Sequence, residues 1–133
     1  MQGIFLFAFQ NARWLLGGLL LTFFSSFGQT FFISLFSGEI RESFQLSDGE
    51  FGAIYMAGTL ASAATLIGLG KTLDQFSISA VSSCVICALA VACLGMSFVN
   101  SWLLLLVVIY ALRLFGQGMM THTSQTAIGR WYD

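Results

Sequence analysis

Four long apolar runs constrain this sequence more than any other feature. They lie near residues 14–37, 51–70, 78–99 and 102–128. A helix needs about 20 consecutive apolar residues to cross a bilayer core about 30 Å thick. Because lipid offers the backbone no hydrogen-bond partners, each run must be helical. The runs predict an all-α membrane protein: one bundle of four transmembrane helices within residues 1–133, with no separate soluble domain.

The composition supports a membrane protein and argues against several other classes. Charged residues make up 8% of the chain, whereas soluble domains carry about 25%. The net charge of -1 leaves no basic patch for nucleic acid. The cysteines of "CVIC" lie in an apolar run without a nearby histidine, so we interpret them as packing residues rather than metal ligands. We expect no metal, no cofactor and no enzyme activity.

The short polar links between the runs predict an orientation. Arg13, Lys71 and Arg130 fall on one side of the membrane, against Arg41 alone on the other. Basic residues in short loops mark the cytoplasmic side. We therefore expect both termini in the cytoplasm and the acidic link 38–50 outside. That link ends in "SDGE", a capping-box pattern that predicts the start of the second helix.

Two of the runs carry polar strips past the centre of the membrane. An α-helix advances about 100° per residue, and this spacing groups the polar residues of each run on one side. In the first run they are Thr22, Ser25, Ser26, Gln29 and Thr30; in the fourth they are Tyr110, Arg113, Gln117, Thr121 and Ser124. Such strips must face other helices or water.

Arg113 is the most informative of these residues. It lies eleven residues after Trp102, about 16 Å into the membrane at 1.5 Å per residue. A central arginine costs at least about 2.5–3.5 kcal/mol, and no acidic residue lies within any of the four runs. Its charge could face a bound anion, a water-filled cavity or an acid on a further segment. Arg113 is thus either part of a solute or proton pathway or a hydrogen-bonding anchor between helices.

The second and third runs are typical of close helix packing. Small residues recur four apart in the second run, from Gly58 to Ser62, Ala61 to Thr65 and Ala64 to Gly68. Such pairs let helix backbones approach closely. His122 follows Arg113 by nine residues, which places it about 180° from the polar strip on an ideal helix. We interpret His122 as structural or interfacial.

The chain resembles the start of a major facilitator superfamily transporter. Arg113, Gly116 and Gly118 are similar to the arginine and spaced glycines of that family's fourth span. Gly70 and Asp74 match the first part of the signature that follows its second span, although Gln75 to Ser79 lack the basic residues that normally complete it. "GRWYD" at residues 129–133 resembles an ending common in parts of the family.

The resemblance implies a fold and a function. The chain would form the first four helices of the N-terminal six-helix bundle of a twelve-helix transporter, and would be an incomplete N-terminal part of it. The activity implied is secondary transport of a small solute by alternating access, with the missing C-terminal part as partner. An organic anion is the preferred solute because of Arg113, and a proton is a possible coupling ion.

The predicted pathway residues are Arg113, Gln117, Tyr110, Gln29, Ser25, Ser26 and Thr121. The predicted packing or gating residues are Gly70, Asp74, Gly116 and Gly118. The alternative is a four-span, non-transporting interaction protein that uses Arg113 to pair with a partner helix.

Overall fold

The computed structural model describes residues 2–71 and 75–132. The α-helices of this part are α1 (Gln2–Gln10), α2 (Ala12–Phe24), α3 (Thr30–Leu35), α4 (Ser37–Phe44), α5 (Asp48–Leu69), α6 (Ile78–Met96), α7 (Trp102–Ala111) and α8 (Thr121–Tyr132). A 3₁₀ turn, Ser25–Gly28, lies between α2 and α3, and a π-helical segment, Leu112–Met120, joins α7 to α8. The predicted site residue Asp74 lies outside the described residues.

Three of the described helices are long and apolar enough to cross a membrane. They are Asp48–Leu69, Ile78–Met96 and the continuous helix Trp102–Arg130, and they match the second, third and fourth predicted spans. This confirms an all-helical membrane protein. The first predicted span, 14–37, is interrupted, so the structure does not confirm a count of four transmembrane helices.

The first span breaks where hydroxyl groups compete with the helical backbone. The Ser25 hydroxyl donates to the Thr22 carbonyl oxygen at 2.6 Å, and the Gln29 backbone amide donates to the Ser26 carbonyl oxygen at 3.0 Å in a 3₁₀-type bond. Gln29 itself is extended, with ψ 151°. Serine and threonine side chains offer the backbone such alternatives to α-helical hydrogen bonds. The ideal-helix wheel therefore does not apply across residues 25–29.

The fourth span, α7 to α8, is the centre of the bundle. Half of its most apolar stretch is buried, against 22% for α6 and 11% for α5. It contacts α5 and α6 along α7 and the π-helical segment, and it contacts α2 through α8. Leu105 and Ile109 of α7 and Met120 at the end of the π-helical segment are almost completely buried. The other spans are thus held together mainly through their packing on this one.

Spans 1 and 4 touch backbone to backbone at two glycines. A Cβ added to Gly116 would lie 2.6 Å from the Gly28 Cα, and a Cβ added to Gly28 would lie 2.7 Å from the Gly116 Cα and overlap the Leu112 carbonyl oxygen. Only glycine permits such a close approach of two backbones. The contact joins the 3₁₀ turn of span 1 to the π-helical segment of span 4. Thr22 and Ser124 reinforce the same pair of spans with a 2.9 Å hydrogen bond between their hydroxyl groups.

The small-residue pairs of α5 differ in whether they contact another helix. Gly58 and Ser62 are buried, and a Cβ on Gly58 would lie 3.1 Å from the Ile109 side chain and 3.3 Å from the Tyr110 nitrogen. The prediction of close packing is confirmed for this pair. Ala64 and Gly68 are exposed, and nothing lies within 4 Å of a Cβ on Gly68.

The start of α5 is capped as the sequence predicts. The Glu50 amide donates to the Ser47 hydroxyl, and the Glu50 carboxylate accepts from the Ser47 amide at 2.8 Å. These bonds satisfy backbone groups at the first turn. Arg41 and Asp48 form an ion pair across the same link. The acidic link is thus an ordered connection between α4 and α5.

Replacement of either crossing glycine will destabilise the bundle. Overpacking against mobile side chains costs about 1–3 kcal/mol, and both added methyl groups would meet backbone atoms that cannot move aside. We expect Gly28→Ala and Gly116→Ala to lower the thermal unfolding midpoint of the purified chain sharply and to reduce its monodisperse yield. Gly17→Ala in the same span is the matched control, because nothing lies within 4 Å of its Cβ. Equal midpoints for all three variants would contradict the crossing.

Candidate functional site

Arg113 reaches across the helix interface to the break in span 1. Its Nη1 donates to the Thr30 hydroxyl oxygen at 3.0 Å and to the Gly28 carbonyl oxygen at 3.4 Å. Both acceptors are uncharged. The guanidinium is therefore hydrogen-bonded but keeps its full positive charge.

Tyr55 of α5 completes this cluster from a third span. Its ring lies 5.4 Å from the Arg113 Cζ, in a cation–π contact. Its hydroxyl donates to the Thr30 hydroxyl oxygen at 2.9 Å. Cation–π contacts contribute about 0.5–2 kcal/mol, with more where water is excluded. We call Arg113, Thr30 and Tyr55 the arginine clamp; it links spans 1, 2 and 4.

A polar cavity lies beside the clamp, between α5 and span 4. Its volume is about 280 Å³. Side chains of α5 form one wall and those of span 4 form the other. The polar residues of the lining are Thr59, Ser62, Arg113, Gln117, Thr121, His122 and Gln125.

Several polar atoms at this cavity have no hydrogen-bond partner. In the part of the chain that the structure describes, the buried side-chain atoms without one are Thr59 Oγ1, Arg113 Nε, Gln117 Oε1 and Thr121 Oγ1. All four belong to residues that line the cavity. Unpaired buried polar groups are costly, at about 1–3 kcal/mol each. Their convergence on one cavity is typical of a site that binds a polar solute or water.

The cavity is also electropositive. Arg113 is its permanent charge, and none of the lining residues that the structure describes is acidic. A charge in a partly buried site is screened less than one in bulk water. The arrangement can attract an anion and offer it hydrogen bonds from Arg113 and the hydroxyl groups, whereas the unpaired Gln117 Oε1 is an acceptor. Of the described residues, no group of histidine, cysteine, aspartate or glutamate is placed to hold a metal.

The π-helical segment changes the wheel positions predicted for span 4. Its i→i+5 turns contain more residues than α turns, so each residue advances by less than 100°. His122, expected opposite Arg113, instead lines the same cavity. The prediction that His122 lies off the polar strip is therefore wrong, and the segment Leu112–Met120 between the two residues is the reason.

The predicted pathway residues are divided between the cavity and its surroundings. Arg113, Gln117 and Thr121 line the cavity, whereas the Tyr110 hydroxyl lies 3.0 Å from the Thr65 hydroxyl oxygen. Ser25, Ser26 and Gln29 lie at the break in span 1, outside the cavity lining. Their contact with a solute stays a prediction.

The predicted packing glycines occupy three environments. Gly116 crosses Gly28, and a Cβ on Gly118 would lie 3.2 Å from the Leu66 side chain. The Gly70 amide donates to the Leu66 carbonyl oxygen at 2.8 Å at the end of α5. Asp74, the last of this group, lies outside the described residues.

Comparison with known proteins decides the family. The model of the Major Facilitator Superfamily matches residues 18–133. The chain belongs to the Major Facilitator Superfamily. Members of this family are membrane transporters rather than enzymes, so the chain is an integral membrane protein of the transporter type. No curated protein and no solved structure matches it.

In this facilitator chain, the arginine and glycines of span 4 serve different purposes. Arg113 supplies charge at the cavity, and Gly116 supplies the close contact with span 1. Sequence analysis did not assign three residues of α5 to the site: Tyr55, Thr59 and Ser62, the last of which it assigned to helix packing alone. Their spacing of four and then three residues puts them on one helical face. A wheel drawn for the second span would have shown this strip.

The arginine clamp predicts an energetic coupling between Tyr55 and Arg113. Tyr55→Phe removes one hydrogen bond, and we expect a loss of about 1 kcal/mol in stability. Tyr55→Leu also removes the ring contact, and we expect about 1–2 kcal/mol more. Thermal unfolding of the purified chain measures both losses. In an Arg113→Gln background, Tyr55→Leu should be no less stable than Tyr55→Phe, because the ring has no guanidinium to contact. This double-mutant cycle isolates the energy of the pair, and the same difference in stability in both backgrounds would contradict the clamp.

Proposed function

We propose that this chain forms part of a secondary transporter that carries a small solute across the membrane by alternating access. The observation that carries the proposal is that four residues lining one cavity in the bundle each contain a buried polar atom without a hydrogen-bond partner. Transporters of this type bind their solute near the middle of the bilayer and expose it to each side in turn. Arg113 lies near the middle of the helix Trp102–Arg130, so we expect the cavity at a similar depth.

The preferred solute is a small organic anion. Arg113 lines the cavity, its buried Nε has no hydrogen-bond partner, and a guanidinium matches the geometry of a carboxylate. The unpaired hydroxyl groups of Thr59 and Thr121 are further donors. Without an acid among its described lining residues, the cavity favours a negative solute over a positive one.

The cavity is one wall of the proposed pathway. Spans 1, 2 and 4 surround the clamp, and the broken region of span 1 brings Ser25, Ser26 and Gln29 close to the same crossing. We propose that further spans of a twelve-helix architecture supply the opposite wall. The two walls would rock around the solute, with the acidic link outside and both ends in the cytoplasm, as the basic residues predict.

The alternative, a non-transporting interaction protein, is less favoured. In that alternative, a partner helix pairs with Arg113 and explains why an arginine lies within a membrane span. The structure gives the guanidinium hydrogen bonds to Gly28 and Thr30 and a ring contact with Tyr55 within the chain. Arg113 is thus anchored within the chain through Nη1 and the Tyr55 ring, without a partner helix.

Water accessibility tests whether the cavity is a pathway. We would place single cysteines at Thr59 and Leu60 in a chain whose native cysteines are replaced by serine. These neighbours share the same depth, but Thr59 lines the cavity, whereas Leu60 is an exposed apolar residue of α5. Thiol reagents react with the thiolate, which needs water. We expect a small charged methanethiosulfonate to label Thr59→Cys in intact membranes at least about tenfold faster than Leu60→Cys. Equal rates would overturn the proposal of a water-filled pathway.

Anion binding tests the role of Arg113. We expect the chain in lipid nanodiscs to bind radiolabelled benzoate in equilibrium dialysis. Arg113→Gln should weaken binding about tenfold to a hundredfold, the equivalent of one charge-assisted hydrogen bond. Arg113→Lys, which keeps the charge, should retain part of the affinity. Size-exclusion profiles confirm that each variant is folded; unchanged binding by a folded Arg113→Gln protein would remove Arg113 from the pathway.

A further inference from the structure

We propose that the cavity binds a proton together with the anion, and that His122 is the proton acceptor. The inference rests on the proposed function, because it assigns a coupling ion to the same site. It goes beyond that function by naming a residue that the sequence pattern had set apart from Arg113.

The first support is the position of His122. The imidazole lines the same cavity as Arg113, Gln117 and Thr121. His122 is exposed rather than enclosed by the described part of the chain. Histidine is the side chain whose ordinary chemistry changes its charge between about pH 5 and pH 8.

The second support is the absence of a competing proton carrier at this cavity. Within the described ranges 2–71 and 75–132, the lining contains no carboxylate, and Arg113 is always charged. A transporter that moves a proton with its solute needs a group that gains and loses that proton during the cycle. In the described lining, His122 is the side chain whose chemistry suits this role.

The charged and titratable groups on neighbouring elements do not replace His122. Tyr55 of α5 packs on Arg113, and Tyr110 of α7 lies against Thr65. Arg13 of α2 and Cys93 of α6 line a separate, largely apolar groove between spans 1 and 3. Arg130 belongs to α8 itself but lies two helical turns beyond His122. Arg113 is therefore the charge that shares the cavity with His122.

The proposed coupling follows from simple electrostatics. A proton from water binds an imidazole nitrogen and adds a second positive charge to the cavity. The two charges repel each other, and an anion held between them offsets that repulsion. Anion and proton then each favour the binding of the other, and this coupling is reciprocal. The anion and the proton together carry almost no net charge, so moving both through the membrane costs less free energy than moving the anion alone.

Benzoate binding at two pH values tests the proposal. Benzoate stays ionised in this range, so a change in affinity reports on the protein. The chain in nanodiscs should bind benzoate about fivefold or more tightly at about pH 5.5 than at about pH 8. His122→Gln should abolish this difference while it retains binding. Leu60→Ala, at an exposed residue of α5 outside this lining, should keep the difference.

A direct proton measurement completes the test. Addition of benzoate to weakly buffered protein near neutral pH should draw protons from solution, which a pH indicator detects, and His122→Gln should abolish that uptake. A pH-independent affinity in the unmodified chain, or a pH dependence that survives His122→Gln, would overturn the assignment and leave the anion pathway standing. Unchanged benzoate binding in Arg113→Gln would remove Arg113 from the proposed pathway, and no binding of benzoate at either pH would overturn the proposed organic-anion solute.

Discussion

The contact between Gly28 and Gly116 determines how the rest of the bundle is arranged. It brings the backbones of spans 1 and 4 together within the membrane-spanning bundle, where most helix pairs are separated by side chains. At this short distance the Arg113 side chain can reach the Gly28 carbonyl oxygen and the Thr30 hydroxyl in the broken span. Larger residues at the crossing would move span 1 away and leave the guanidinium without these acceptors.

The arginine clamp shows how a chain can keep a charge in the membrane without neutralising it. Two uncharged oxygens and the Tyr55 ring compensate for part of the lost hydration of Arg113. A carboxylate partner would compensate for more but would also cancel the positive potential of the cavity. The neutral clamp therefore holds the side chain in place and leaves its charge available to a solute.

Sequence reasoning predicted the parts of this protein that follow regular patterns. Apolar run lengths predicted α5, α6 and the fourth span, and the 100° period placed Gln117 and Thr121 with Arg113. Two of the wrong predictions concern segments in which the backbone is irregular. The break at Ser25–Gly28 depends on local hydroxyl hydrogen bonds and on the tight crossing with span 4. The apolar pattern of the sequence reveals neither of these. The π-helical segment alters the period itself, so an ideal wheel misplaced His122. Tyr55 was overlooked because small residues dominated the interpretation of the second span.

The π-helical segment also sets the rotation of α8 about the helix axis relative to α7. If Leu112–Met120 were wound as an ordinary α-helix, each residue would turn further about the axis, and α8 would rotate as a rigid rod relative to α7. Such a rotation would carry His122 away from Arg113 and separate Ser124 from Thr22. A change in helical winding within these nine residues would thus convert a local change in hydrogen bonding into a rotation of the polar groups of α8 about the helix axis.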